Sequence, residues 1–193
     1  MRTEPIYCQL WNAQLRKPIY PVTADQARKR DEQARAGKDV EHYAVVFGDP
    51  ALPDAYLNIV WENDHIGVWF PDADGRPTMN WKLTQVGDRM FLTGVTHWLY
   101  PDGAGTKLRD ALAISSRYFK PDGLSEHQFK NKETGHTTVV EKKDVPLEGF
   151  WAPVPTFEEI TYEWIPEWIR EAGKDIRSKG ALTRDEILAY APD

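Results

Sequence analysis

Cysteine is almost absent from this chain of 193 residues. Cys8 is the single cysteine, so no disulfide can form within the chain and no thiol-rich metal site can be built. Long apolar runs are also missing: no stretch approaches the roughly 18 residues that a membrane-spanning helix needs. The segment Met1–Pro5 lacks the apolar core of a secretory leader. These absences predict a soluble, cytoplasmic protein.

An excess of positive charge is missing too. The net charge is −6 and the isoelectric point is near 5.4, whereas nucleic-acid-binding proteins carry a basic footprint. The one basic run, Arg28-Lys29-Arg30, is followed directly by Asp31 and Glu32, which is typical of a solvated helix face. We therefore expect neither a nucleic acid nor a membrane as the partner.

Motifs of known chemistry are absent as well. The sequence has no nucleophile elbow, phosphate-binding loop, dinucleotide fingerprint, HExxH or CxxC. Its five histidines match no standard spacing of metal ligands, and surface positions explain them best. We expect no cofactor and no required metal.

What the chain does contain is aromatic residues and tight turns. It has eight Trp, eight Tyr and seven Phe, enough large rings to build a core or to line a pocket. Three aromatic-rich segments each end in a turn that combines Pro, Asp and Gly, at residues 70–75, 100–103 and 119–123. Proline presets φ for a turn, Asp bonds its own backbone and Gly accepts positive φ. This pattern predicts an antiparallel meander.

The predicted fold is mainly β, of the α+β kind, in one domain spanning residues 1–193. We expect an N-terminal helical arm (1–40), a β region (41–145), and a Pro-rich linker followed by C-terminal helices (146–193). Capping-box spacings at Thr23, Thr156 and Thr183 predict the helix starts. The segment 108–119 fits a strand or a helix, and its alternation favours a strand from about Ala111. About eight strands result, enough for a barrel or a strongly curved sheet.

A meander with terminal helices resembles lipocalin-like (calycin) barrels in outline. That resemblance implies binding of small hydrophobic molecules, and a few members are cofactor-free enzymes. The six residues 157–162, Phe-Glu-Glu-Ile-Thr-Tyr, also resemble a stretch near the end of phenolic acid decarboxylases. No catalytic residue of that family can be matched here.

Hairpin registers suggest a candidate pocket. Two-residue turns at Asn63-Asp64 and Gly87-Asp88 would place Trp61, Trp81 and Trp98 on one face of the sheet. Tyr118 would join the same apolar side. If the sheet closes, these rings line its interior and bind a ligand. If a helix covers them, they are ordinary core, which is the more frequent outcome.

A third hairpin suggests a candidate acid–base pair. With a five-residue turn at 131–135, Lys130 faces His136, and Glu141 becomes a diagonal neighbour of His127. A carboxylate beside an imidazole orients its tautomer and raises its basicity, as general acid–base catalysis requires. The alternative is a structural hydrogen bond, or a His half-exposed at the rim of the sheet.

Two functions remain open, and whether the protein is an enzyme is uncertain. The first is a small-molecule-binding barrel, with His127 and Glu141 as catalytic residues in a cofactor-independent cyclisation, isomerisation or lyase reaction on a hydrophobic or aromatic ligand. The second is an acidic protein-binding module, such as an immunity or inhibitor protein, that neutralises a basic partner. An open cavity beside the three indoles favours the first, and a filled core with an exposed acidic, aromatic patch favours the second.

Overall fold

The computed structural model describes residues 4–179 and 183–188, and these form one large antiparallel sheet with helices packed against it. The strands are β1 (Ile6–Asn12), β2 (Lys17–Val22), β3 (Tyr43–Asp49), β4 (Leu52–Val60), β5 (His65–Pro71), β6 (Pro77–Val86), β7 (Arg89–Leu99), β8 (Ala113–Phe119), β9 (Ser125–Asn131), β10 (Thr137–Lys142) and β11 (Trp151–Pro153). The helices are α1 (Ala24–Arg35), α2 (Glu167–Lys179) and α3 (Arg184–Leu188).

The sheet is an open meander rather than a barrel. The strand order is β10-β9-β8-β7-β6-β5-β4-β3-β1-β2, with β11 paired to the first half of β7. The strands β10 and β2 are therefore its two edges. The antiparallel meander is confirmed, and so is the strand at 113–119, whereas the barrel finds no support because the sheet does not close.

The two faces of the sheet differ in what packs against them. One face carries the main apolar cluster, which includes Leu57, Val68 and Leu83, and α1 and α2 contribute residues to that cluster. Ile187 of α3 packs on the same face farther along, against Leu99. We call this the covered face and the opposite one the open face. The open face carries Tyr56, Trp69 and Trp98.

The N-terminal region contains more strand than the sequence suggested. Residues 6–22 form the hairpin β1–β2, and β1 also pairs with β3, so only α1 of the expected helical arm is helical. The capping box at Thr23 is confirmed, since its hydroxyl accepts the N–H of Gln26 and the Gln26 side chain accepts the Thr23 N–H. The hairpin was missed because Pro18 and Pro21 argue against a strand interior, although an edge strand tolerates them.

The C-terminal region begins its long helix later than its apolar spacing predicts. Thr156 caps only the 3₁₀ turn Phe157–Glu159, a second 3₁₀ turn follows at Tyr162–Trp164, and α2 begins directly after Pro166. Proline lacks an N–H and suits the first position of a helix, which explains this restart. The third capping box, at Thr183, does precede α3, and the predicted end of that helix lies outside the described residues.

The turn after β5 is built around a buried ion pair that sequence reasoning missed. Asp72 Oδ1 accepts the backbone N–H groups of Asp74 and Arg76, and Asp72 Oδ2 lies 2.6 Å from Arg76 Nε. The Arg76 guanidinium lies 5.2 Å from the Tyr100 ring centroid, so two of the predicted Pro-Asp-Gly turns contact each other. The pair is satisfied by backbone and aromatic contacts, which marks it as structural.

Three buried tyrosines predict loss of stability in alkali. Burial raises the pKa of Tyr43, Tyr56 and Tyr100 above the ordinary value of 10.0. Above pH 10 the unfolded chain therefore releases protons that the folded chain keeps, and unfolding becomes easier. We expect the free energy of unfolding to fall by up to about 1.4 kcal/mol per pH unit for each tyrosine. Urea titrations from pH 9 to 11 test this. Tyr20→Phe is the control: it removes an exposed tyrosine, so the pH dependence of unfolding should not change.

Candidate functional site

The predicted His127–Glu141 pair does not form. His127 pairs with Val140 and Glu141 pairs with Glu126, so His127 lies on the covered face and Glu141 on the open face. The predicted register was wrong by one residue. Asn131 belongs to β9: its N–H donates to the His136 carbonyl, and its side chain accepts from the two turn residues that follow Lys132.

His127 instead contacts Ser115 on the neighbouring strand β8. Its Nε2 lies 2.9 Å from Ser115 Oγ. Burial lowers the pKa of His127, and the charges of Arg117 and Lys142 lower it further. The imidazole is therefore neutral at pH 7 and able to accept a hydrogen bond.

Trp81 and Trp98 lie on opposite faces, so the predicted group of three indoles does not form. Thr93 is an extra residue in β7: it opposes no partner, and its hydroxyl donates to the Lys82 carbonyl at 3.1 Å. Beyond this bulge the register shifts by one, which turns Trp98 to the open face. Tyr118 shares the open face with Trp98, is 38% exposed and has Lys82 Nζ 5.7 Å from its ring centroid.

The rings that were expected to line a pocket pack against other side chains instead. Trp81 is buried on the covered face and meets Trp168 of α2 edge to face, with centroids 5.0 Å apart. On the open face, Trp98 stacks on Trp69 at 5.2 Å, and Trp69 stacks on Tyr56 at 5.8 Å. Their faces contact each other, so an incoming flat ligand has no gap between them.

Trp61 is held in a buried polar cluster. The expected two-residue loop is instead the 3₁₀ turn Trp61–Asn63 followed by Asp64 in the left-handed conformation. The indole N–H donates to the Asp31 carboxylate, which also accepts from the Tyr43 hydroxyl at 2.8 Å and from Arg35 Nε at 2.7 Å. The Arg35 guanidinium covers the Trp61 ring at 3.8 Å. This cluster joins α1 to the sheet.

Two adjoining surface cavities, of about 210 and 560 Å³, lie beside Trp61. Ionic side chains dominate the larger one: Arg35, Lys38, Asp39, Glu62 and Asp64. Trp61 itself is 6% exposed, with one face against Arg35. These cavities suit water and ions rather than the hydrophobic ligand that the sequence suggested.

The densest negative charge lies on a segment that includes β11 and the first part of α2. Residues 144–175 carry eight carboxylate side chains but only two cationic ones, Arg170 and Lys174, whereas the rest of the chain carries 22 of each sign. All eight carboxylate residues are exposed. We call residues 144–175 the acidic strap. Sequence reasoning used only the total charge, although a windowed charge count would have found this segment.

Within residues 4–179 and 183–188, no three His, Cys, Asp or Glu side chains cluster in a way that could hold a metal ion. In the same ranges, no helix is both long enough and apolar enough to cross a membrane. Burial raises the pKa of the Cys8 thiol to about 11, so it is protonated and unreactive at neutral pH. Comparison with family models, curated proteins and solved structures found no significant match to this chain.

Proposed function

We propose that this protein is a protein-binding module whose acidic strap docks on a basic surface of its partner. The observation that carries the proposal is the charge distribution: the whole net charge of −6 lies within one segment of 32 residues. Negative charge concentrated on one surface speeds encounter with a positive partner and selects against acidic ones.

Aromatic side chains lie beside these carboxylates. Trp168 is 39% exposed although one side of its ring packs on Phe150, and Trp164 is partly exposed. On α2, Glu167 and Glu171 are four residues apart and share a side of the helix. Trp164 lies in the 3₁₀ turn that precedes this helix. Tryptophan anchors beside charged residues are typical of protein interfaces.

Two ion pairs involve carboxylates of the strap. Glu158 pairs with Arg28 and Glu171 pairs with Lys174, and all four of these side chains are at least 43% exposed. Exposed pairs of this kind contribute little to stability, so a partner could replace them at small cost. A solvated helix face is the alternative explanation of the same charges, and it predicts no partner.

The three indoles do not form the pocket on which the small-molecule hypothesis depends. It required three indoles around one interior space, but Trp61 and Trp81 lie in a filled core and Trp98 lies on the other face. A filled core with an exposed acidic, aromatic patch was the arrangement expected of a protein-binding module. This contrast supports the second hypothesis over the first.

Affinity capture from the native host with matched charge variants tests the proposal. The test variant combines Glu167→Gln, Glu171→Gln and Asp175→Asn. The control combines Glu62→Gln, Glu126→Gln and Glu141→Gln, which remove the same charge elsewhere. We expect wild type and control to capture a basic protein. The test variant should bind that protein with a Kd about tenfold higher, and its affinity should depend less on salt concentration.

Two outcomes would contradict the proposal. One is a partner whose affinity changes equally in both variants, because the strap would then have no special role. The other is the absence of any stoichiometric protein partner, together with a small molecule that co-purifies in native mass spectrometry.

A further inference from the structure

The covered face has an uncovered stretch on β8. At one end of this strand, Ala113 packs with Ile187 of α3, and at the other end Phe119 meets the Phe150 ring edge to face at 4.8 Å. Ser115 and Arg117 point to the same face between these two covers. Ser115 is partly exposed between these two covers.

Ser115 and His127 form the hydrogen bond that an activated nucleophile requires. The 2.9 Å separation of Ser115 Oγ and His127 Nε2 lies within the range for a serine and its general base. When the His127 proton is on Nδ1, Nε2 accepts the serine hydroxyl. The neutral imidazole described above is the form that can take up a proton at pH 7.

Two cationic side chains lie near this pair on the covered face. Arg117 is the direct cross-strand partner of His127, and Lys142 lies on the same face of the adjacent strand β10. The carboxylates of this hairpin, Glu126 and Glu141, lie on the open face. His97, opposite Ser115, is the other titratable group from a neighbouring strand on this face. The one-residue register shift that separates His127 from Glu141 also creates this cationic surrounding.

We infer that Ser115 and His127 are the nucleophile and the general base of an acyl-transfer site for esters whose acyl group carries a negative charge. Ser115 Oγ attacks the ester carbon while its proton passes to His127 Nε2. The carbon–oxygen bond to the alcohol breaks, and the alcohol takes that proton. Water then attacks the acyl-serine, with its proton going to His127 and then to Ser115, and releases the carboxylic acid. Arg117 and Lys142 favour the anionic acyl group.

This inference is independent of the proposed protein partner, since the site lies outside the acidic strap. Charge removal on the strap leaves the reaction unchanged, and the variants below leave partner binding unchanged. Failure of one proposal is thus distinguishable from failure of the other.

The test measures hydrolysis of 4-nitrophenyl hydrogen glutarate, whose acyl group is anionic, against the neutral 4-nitrophenyl acetate. Ser115→Ala should reduce hydrolysis to the background rate. Ser116→Ala is the matched control, because this neighbouring serine faces the other way and bonds Thr96 Oγ1. His127→Gln retains a hydrogen-bonding side chain without a base and should lose about 100-fold or more in kcat. Arg117→Gln should reduce the preference for the anionic ester.

A fluorophosphonate probe with peptide mass spectrometry gives a second readout, which should place the adduct on Ser115. Circular dichroism checks that each variant is folded. Wild-type hydrolysis equal to that of Ser115→Ala overturns the inference. So does an adduct on another serine, or His127→Gln with unchanged kcat.

Discussion

Asp31→Ala is expected to lower the free energy of unfolding by about 3–5 kcal/mol, the usual cost of removing one partner from a buried charged cluster. The Asp31 carboxylate is 2% exposed and accepts hydrogen bonds from Tyr43, Trp61 and Arg35. Alanine would leave the phenol and the indole N–H buried without an acceptor. Each such group costs about 1–3 kcal/mol.

Urea denaturation at pH 7 measures this loss, and Asp25→Ala is the control. Asp25 lies on the same helix and pairs with Arg28, but its side chain is 90% exposed, so its removal should change stability by less than about 1 kcal/mol. Equal effects at the two positions would mean that the Asp31 cluster does not join α1 to the sheet.

Gly173→Ala is expected to destabilise the protein by about 1–3 kcal/mol, even though alanine is the better helix former. Gly173 lies in α2 where the helix crosses β5, and a methyl group there would overlap the Phe70 ring at Cδ1. Phe70 is 1% exposed, so its ring cannot turn away into solvent. The helix would have to move off the sheet.

Thermal and urea unfolding of Gly173→Ala test this, beside Ser178→Ala on the exposed side of the same helix. The control should be neutral or slightly stabilising because no close contact opposes the helix preference. A double variant, Gly173→Ala with Phe70→Leu, should recover part of the loss, since the smaller side chain relieves the contact. Stabilisation by Gly173→Ala alone would contradict the packing described here.

Local sequence patterns correctly predicted the features that depend only on residues close together in the sequence, such as a tight turn and a helix cap. The turn at Gly87-Asp88 is present, with Val86 opposite Arg89 and Gly87 at a φ of 65°. The capping box at Thr23 formed as expected. In the first hairpin the loop grew by two residues, so Ile59 faces Ile66 instead of Val68 and every side chain still keeps its predicted face. An even shift preserves a pattern of period two.

The features that could not be predicted depend on single-residue irregularities in the strand register. The bulge at Thr93 turned Trp98 to the other face, and the inclusion of Asn131 in β9 separated His127 from Glu141. Each depends on a hydrogen bond whose partner is identified only by the folded backbone: Thr93 to the Lys82 carbonyl, and Asn131 to the turn. The candidate site therefore changed although the fold class did not.

Hydrogen exchange of the protein with and without its captured partner tests the central claim most directly. If the acidic strap is the docking surface, protection on binding should be concentrated in residues 144–175. The strands that carry Tyr56, Trp69 and Trp98 should exchange as in the isolated protein. Protection confined to those strands, with the strap unchanged, would contradict the claim and assign the interface to the open face.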